Sequence, residues 1–196
     1  MKSLDLYQYL IAAKQYDGLE SFVNILEFDK SDYIYQPGEK QHYIFLIEAG
    51  VVKIGSYDEE GQEVVYDVLT PGEIFGNLNY LENNFFEYAR ALCGCRLLVF
   101  RREFFKKIIV HDPKVSEWFN VTVVKRWYKA ETRLLYMTRG NIEARLNNLI
   151  KELNQKVRDK EDKEVTAFDL LTYEDLANLA GTTRQTLSKK LKVGGL

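Results

Sequence analysis

Residues 171–192 read LTYEDLANLAGTTRQTLSKKLK, and the punctuation of this stretch decides how the last third of the chain folds. Thr172 stands where an N-cap is needed, with Asp175 three residues on, and Leu176, Ala177, Leu179 and Ala180 form an apolar helical face. Gly181 lets the chain turn sharply, Thr182 or Thr183 caps a second helix, and Leu187 and Leu191 give that helix its inward side. This is a helix-turn-helix pattern, in which one helix rests across a phosphate backbone while the other enters the major groove. With the leucines inward, Arg184, Gln185, Ser188, Lys189 and Lys192 remain outward. A guanidinium can hold guanine through two hydrogen bonds, and a glutamine amide can do the same for adenine. Arg184, Gln185 and Lys189 are therefore expected to read bases, Thr172, Lys190 and Lys192 to hold phosphates, and Thr183 and Ser188 to lie in the same interface. Four basic residues and no acid fall between Arg184 and Lys192. Such a face also occurs as plain solvated surface, and helix-turn-helix shapes occur as packing units.

Working back along the chain, Lys114 to Met137 holds no Gly or Pro, and Val123, Trp127, Ala130, Leu134 and Met137 recur at steps of 4, 3, 4 and 3. That spacing is a coiled-coil seam. Val121, Val124, Tyr128 and Leu135 form a second stripe, so the helix has two partners to satisfy, and either stripe could face its own chain or a second copy. Thr138-Arg139-Gly140-Asn141 breaks this helix, and Asn141 caps the next, expected over Ile142 to Lys156. The charged run Arg158 to Glu164 reads as a solvated connector.

The first half is β-type. Runs from Leu26 onward, at Tyr33–Tyr35, His42–Ile47, Val51–Tyr57, Val64–Leu69 and Tyr88–Phe100, are separated by Pro37-Gly38, Gly50, Asp58 to Gly61 and Pro71-Gly72. Strands at roughly ten-residue spacing with glycine at the turns predict an antiparallel sandwich or roll. Cys93 and Cys95, the only thiols, lie about 6.6 Å apart if both sit on one strand, and read as strand-packing residues, not a disulfide.

The 196 residues carry 27 basic and 29 acidic side chains, a balance that excludes a basic coat protein and a disordered acidic tail. No apolar run approaches the ~18 residues needed to span a bilayer, so the expectation is a soluble cytoplasmic protein. No Ser/His/Asp set, P-loop or G-x-G-x-x-G is present, and an enzyme is not expected. His42 and His111 are isolated and no cysteine cluster precedes the strands, so neither a metal nor an iron–sulfur cofactor is expected.

Tyr35-Gln36-Pro37-Gly38-Glu39, Tyr43 to Gly50 and Leu69 to Gly76 resemble the turns and strands of the cyclic-nucleotide-binding β-roll of the Crp/Fnr family of bacterial transcription regulators. Asn141-Ile142-Glu143-Ala144-Arg145-Leu146 resembles the entry to that family's DNA-binding domain, and Thr183 to Ser188 its recognition helix. The resemblance covers nearly the whole chain and implies an α+β fold with three parts. These are a jelly-roll-like sensor over 1–112, a dimerisation helix over 113–138 and a helix-turn-helix domain over 139–196. It implies a homodimer joined along Val123, Trp127, Ala130, Leu134 and Met137, bound to a near-palindromic duplex site, with RNA polymerase as a further partner. The alternative is an interaction module whose helix-turn-helix does not bind DNA.

The chain departs from the nucleotide-binding members at their ligand. Where those read Phe-Gly-Glu, this chain reads Phe75-Gly76-Asn77, and the Arg-Ser or Arg-Ala pair falls on Asn84 and Phe85. A phosphate withdrawn from water needs a matched cation, which an amide beside a phenyl ring does not supply. Cyclic AMP is thus not the expected effector. The pocket candidates are Asn77, Leu78, Asn84, Phe85, Arg90 and Ala130, with Arg90 the one replacement cation. The aromatic residues Tyr80, Phe85, Phe86 and Tyr88 either line a pocket for an apolar ligand or fill it. The sequence given ends at Leu196, without the complete wing hairpin that follows the family's recognition helix, from which weaker and more salt-sensitive DNA binding is expected.

Overall fold

Two four-stranded antiparallel sheets face one another in the first half of the computed structural model, which describes residues 4–13, 16, 18–38, 42–80 and 86–194, the last four by backbone alone. Strands β1 (Val23–Phe28), β3 (Tyr43–Ala49), β6 (Ile74–Phe75) and β8 (Cys95–Arg101) form one sheet in the order β1-β8-β3-β6. Strands β2 (Tyr33–Tyr35), β4 (Val52–Tyr57), β5 (Glu63–Leu69) and β7 (Tyr88–Ala91) form the other, in the order β2-β7-β4-β5. Between them lie Phe45, Ile47, Val52, Ile54, Ala89, Ala91, Leu97 and Val99, the inward set of alternating strands. The expected last run, Tyr88 to Phe100, is two strands in different sheets. Leu92-Cys93-Gly94 turns the chain between them, and Cys93 belongs to the turn while Cys95 opens β8. Both thiols are free and buried.

Helix α1 (Leu6–Ala12) and helix α2 (Arg102–His111) cover the outer side of the first sheet through Leu6, Leu10, Phe105 and Ile108. The 27-residue helix α3 (Pro113–Arg139) follows at once. Asp112 caps it, accepting from the backbone N–H of Lys114 and Val115, and Pro113 supplies a first residue that has no N–H to lose. Helix α4 (Ile142–Leu153) starts on Asn141, whose side chain accepts from Ala144 N–H at 2.9 Å.

Helix α4 ends three residues before the expected Lys156, because Lys156 begins a strand. The charged run is a hairpin and not a solvated connector: β9 (Lys156–Arg158) pairs with β10 (Glu164–Thr166). Its turn is folded by Asp159, whose carboxylate accepts from the N–H of Glu161 and Lys163. The hairpin is fastened to the roll where Gly50 N–H donates to Arg158 C=O at 2.8 Å and Lys160 N–H to Gly94 C=O at 3.0 Å. Two short helices, α5 (Tyr173–Leu179) and α6 (Arg184–Gly194), complete the chain. The first and third of the expected parts, the roll and the helix-turn-helix domain, share one apolar core. Val51, Val65, Val68, Leu92 and Cys93 of the roll pack with Leu146, Leu149 and Leu153 of α4 and with Leu176, Ala177 and Leu187 beyond it. None of the helices in the described residues is long and apolar enough to cross a membrane.

Candidate nucleic-acid interface

The geometry of α5 and α6 follows from a few local decisions. Thr172 Oγ1 accepts from Asp175 N–H at 3.1 Å while the Asp175 carboxylate accepts from Thr172 N–H at 3.0 Å, a reciprocal box that fixes where α5 begins. Gly181 has φ of +59°, a left-handed conformation that side chains other than glycine adopt at a cost. Thr183 accepts from Thr186 N–H and so caps α6. The Arg145 guanidinium locks the turn to the end of α3, donating to the carbonyls of Tyr136, Met137, Gly140, Ala180 and Gly181. Arg145 lies within the Asn141–Leu146 stretch, but its clamp depends on carbonyls that only the folded chain brings together.

On α6, Leu187 is fully buried and Arg184, Gln185, Thr186, Lys189 and Lys190 are exposed, with Ser188 half-buried. The expected base-reading side chains therefore share one open face, at the amino-terminal end of the helix. Lys190 is engaged by Glu143 at 2.8 Å. The side chains of Leu191 and Lys192 lie outside the described residues. Tyr173, exposed beside Thr172, was not among the expected contacts. With Leu171, Thr172, Glu174 and Arg184 it forms a shallow depression of about 590 Å³ next to α6. An exposed tyrosine directly after an N-cap is the signal that would have found it.

Behind that face, α5 is held against the roll by buried charges. Lys53 of β4, 7% exposed, reaches Asp175, 4% exposed, at 2.9 Å and Glu63 of β5 at the same distance. Burial pushes the Glu63 carboxyl up, but the hydroxyl of Tyr33 and the cations Lys53 and Arg90 outweigh it and hold the group below the usual range. A second network joins β5, α3 and α4. Asp67 meets Lys129 at 2.9 Å, Arg133 at 3.2 Å and Arg126 at 3.4 Å, and Arg133 continues to Glu152. Burial alone would raise Asp67, yet Lys129, Arg133 and Arg126 hold it low. Asp175 was legible as a capping residue, whereas its pairing with a lysine 122 positions away was not.

Helix α3 leaves a long apolar stripe uncovered. Val123, Ala130, Trp127 (63% exposed) and Leu134 (61% exposed) stand in solvent, and Val124, Tyr128 and Leu135 flank them. Met137, expected in the same seam, is half-buried beside the Gly181 turn of its own chain.

The roll's interior is aromatic and acidic. The rings of Tyr35, Phe45 and Phe75 lie 5.1–6.1 Å apart, and the hydroxyls of Tyr35 and Tyr66 both donate to Glu87. Burial raises the Glu87 carboxyl above its ordinary value in spite of these donors. Asn77 is half-buried and spends its side-chain oxygen on Asn79 N–H at 2.7 Å, and Leu78 packs against the apolar cluster between the first sheet and its covering helices. Arg90 is not inside. It lies on the outward face of β7, bound to Ser31 C=O and Glu63 and stacked on the Tyr33 ring, because its neighbours Ala89 and Ala91 are the residues that point inward. Ala130 is exposed on α3, and Asn84 and Phe85 lie outside the described residues. Among the described residues no three His, Cys, Asp or Glu side chains gather as metal ligands.

Residues 25–112 match the family described as the cyclic nucleotide-binding domain. The cyclic AMP receptor protein of Thermus thermophilus is 26% identical over 97% of this chain and 85% of its own. A CRP-like cAMP-activated global transcriptional regulator of Mycobacterium tuberculosis is 23% identical over 85% of this chain and 75% of its own. Over most of its length the chain is thus similar to transcription regulators of the Crp/Fnr type. Solved structures share the fold. The regulator CLP of Xanthomonas campestris superposes with a TM-score of 0.71 at 14% identity, covering 97% of this chain and 90% of that one. FixK2 of Bradyrhizobium japonicum does so with 0.68 at 17%, covering 88% and 86%.

Proposed function

We propose that this chain is a regulator of the Crp/Fnr type, a homodimer that binds a near-palindromic duplex site, each α6 entering the major groove of one half-site. The observation that carries the reading is the open face of α6, with Arg184, Gln185 and Lys189 in solvent above a fully buried Leu187. Thr172, at the start of α5, then meets the phosphate backbone alongside. Dimerisation is supported by the uncovered stripe of Val123, Trp127, Ala130 and Leu134. An apolar surface of this kind on a regularly spaced helix is a coiled-coil seam in want of its partner.

We infer also that cyclic AMP is not the effector. Arg90, the candidate cation for a cyclic phosphate, is turned outward and committed to Glu63, and Asn77 offers an amide where the nucleotide-binding members carry a carboxylate. A phosphate entering the roll would meet Glu87.

Selection of bound sequences from random duplex DNA tests both parts. The expected outcome is an inverted repeat with half-site centres about one helical turn apart, recovered equally with and without cyclic AMP. A pool with no enriched motif would favour the protein-interaction module, and recovery only with cyclic AMP would overturn the reading of the roll.

A further inference from the structure

The cleft between the β5–β6 turn and the long helix is a site that the DNA reading does not use. It has a volume of about 610 Å³, within the range of small-molecule sites, and all three parts of the chain line it: Thr70 to Ile74 of the roll, Lys114 to Lys129 of α3, and Glu152 to Gln155 at and after the end of α4. Leu4, Ile74, Val121 and Leu153 form an apolar strip around a single indole, Trp118, and charged side chains surround that strip.

The charges around it sort by whether they are already spent. Lys129 is held by Asp67, Glu152 and Val68 C=O, and Arg126 by Asp67 and Ile74 C=O. The Glu73 carboxylate accepts from the N–H and hydroxyl of Thr70, and its charge faces Lys129 at 3.9 Å. What remains is Lys125 and Lys114, both exposed and without an ion pair among the described residues, the second over the Tyr9 ring, against one carboxylate, Glu117. The lining therefore carries one more cation than carboxylates, and Lys125 is a cation beside the apolar strip that no carboxylate among the described residues engages.

The cleft also stays open in a dimer. At 100° per residue, Trp118, Lys125 and Lys129 cluster on one side of α3, and Trp127 and Leu134 lie about 160–180° away. A second copy seated on the seam leaves Trp118 and Lys125 accessible.

We propose that this cleft binds an alkyl carboxylate of medium chain length, its chain against Trp118, Ile74 and Leu153 and its carboxylate on Lys125. A ligand there touches the roll, the long helix and α4 at once, and so bears on how the helix-turn-helix is held. The binding itself does not depend on DNA recognition.

The chain has two tryptophans, and only Trp118 lines the cleft, so its indole N–H is a local reporter with Trp127 as the internal control. In ¹⁵N-labelled full-length protein titrated with octanoate, the Trp118 resonance, assigned through Trp118→Phe, should shift and saturate while Trp127 stays in place. Lys125→Glu, at a solvent-exposed position that can accept the change without unfolding, should weaken binding at least tenfold. Octan-1-ol should bind at least tenfold more weakly than octanoate. The proposal is overturned if Trp118 does not move at millimolar octanoate, or if Trp127 moves equally. It is equally overturned if Lys125→Glu leaves the affinity unchanged, or if the neutral alcohol binds as well as the acid.

Discussion

Replacing Lys53 with methionine should loosen the helix-turn-helix from the roll, and the size of the effect can be worked from the contacts. The ammonium lies 2.9 Å from both Glu63 and Asp175, and its side chain is 9% exposed. Removing one member of a buried ion pair strands the other and costs about 3–5 kcal/mol. Here both carboxylates keep other donors, Thr172 on Asp175 and Tyr33 and Arg90 on Glu63, which places the loss at the lower end, about 3 kcal/mol. For a chain of this length that corresponds to a fall in Tm of about 6–12 °C. Urea unfolding of wild type, Lys53→Met, Asp175→Asn and the double variant gives the cycle, and the coupling between the two sites should be about 2 kcal/mol, as expected of a hydrogen bond between charged groups. A loss below about 0.5 kcal/mol for Lys53→Met, with additive effects in the double variant, would refute the docking of α5 on the roll in solution.

Other expectations follow from the same contacts. Arg184→Ala should cost about 1–3 kcal/mol on the selected site and relax preference at one base pair per half-site, while Lys190→Ala should weaken every sequence alike and flatten the salt dependence, both read by fluorescence anisotropy. Trp127→Asp should place a charge in the seam and convert the dimer to monomer in sedimentation equilibrium, without loss of the far-ultraviolet helix signal. Asp67 is held below the ordinary aspartate value of 3.8, so its contribution to stability is complete above that value and is lost as pH falls through the folded-state value beneath it. Stability measured by urea between pH 5 and about pH 2 should therefore drop with acid, and Asp67→Asn should remove part of that slope.

Local rules carried much of the fold. The Thr172–Asp175 box, Gly181 and the Leu187 position are short-range features, and the paired helices they specify are those observed. The alternating strands and the long helix were likewise legible, since period and turn residues act within a few positions. What could not be read depends on contacts far apart in the chain. The Arg158–Glu164 run is as charged as a free connector, yet it folds back because Gly50 and Gly94 of the roll supply backbone partners. Arg90 looked available as a cation, and only the pleat, with Ala89 and Ala91 inward, turns it to Glu63. Nothing in the sequence around Lys53 or Arg133 announces that they meet acids 122 and 66 positions away.

The central claim, that α6 lies in the major groove with Arg184 on a guanine, is tested most directly by removing the acceptor instead of the donor. Substituting 7-deazaguanine for guanine deletes the N7 acceptor at that base edge. One substituted position in each half-site should weaken wild-type binding by about 1–3 kcal/mol, and the same substitution should have no further effect on Arg184→Ala. Equal losses in the two proteins, or no sensitive guanine anywhere in the site, would contradict the account.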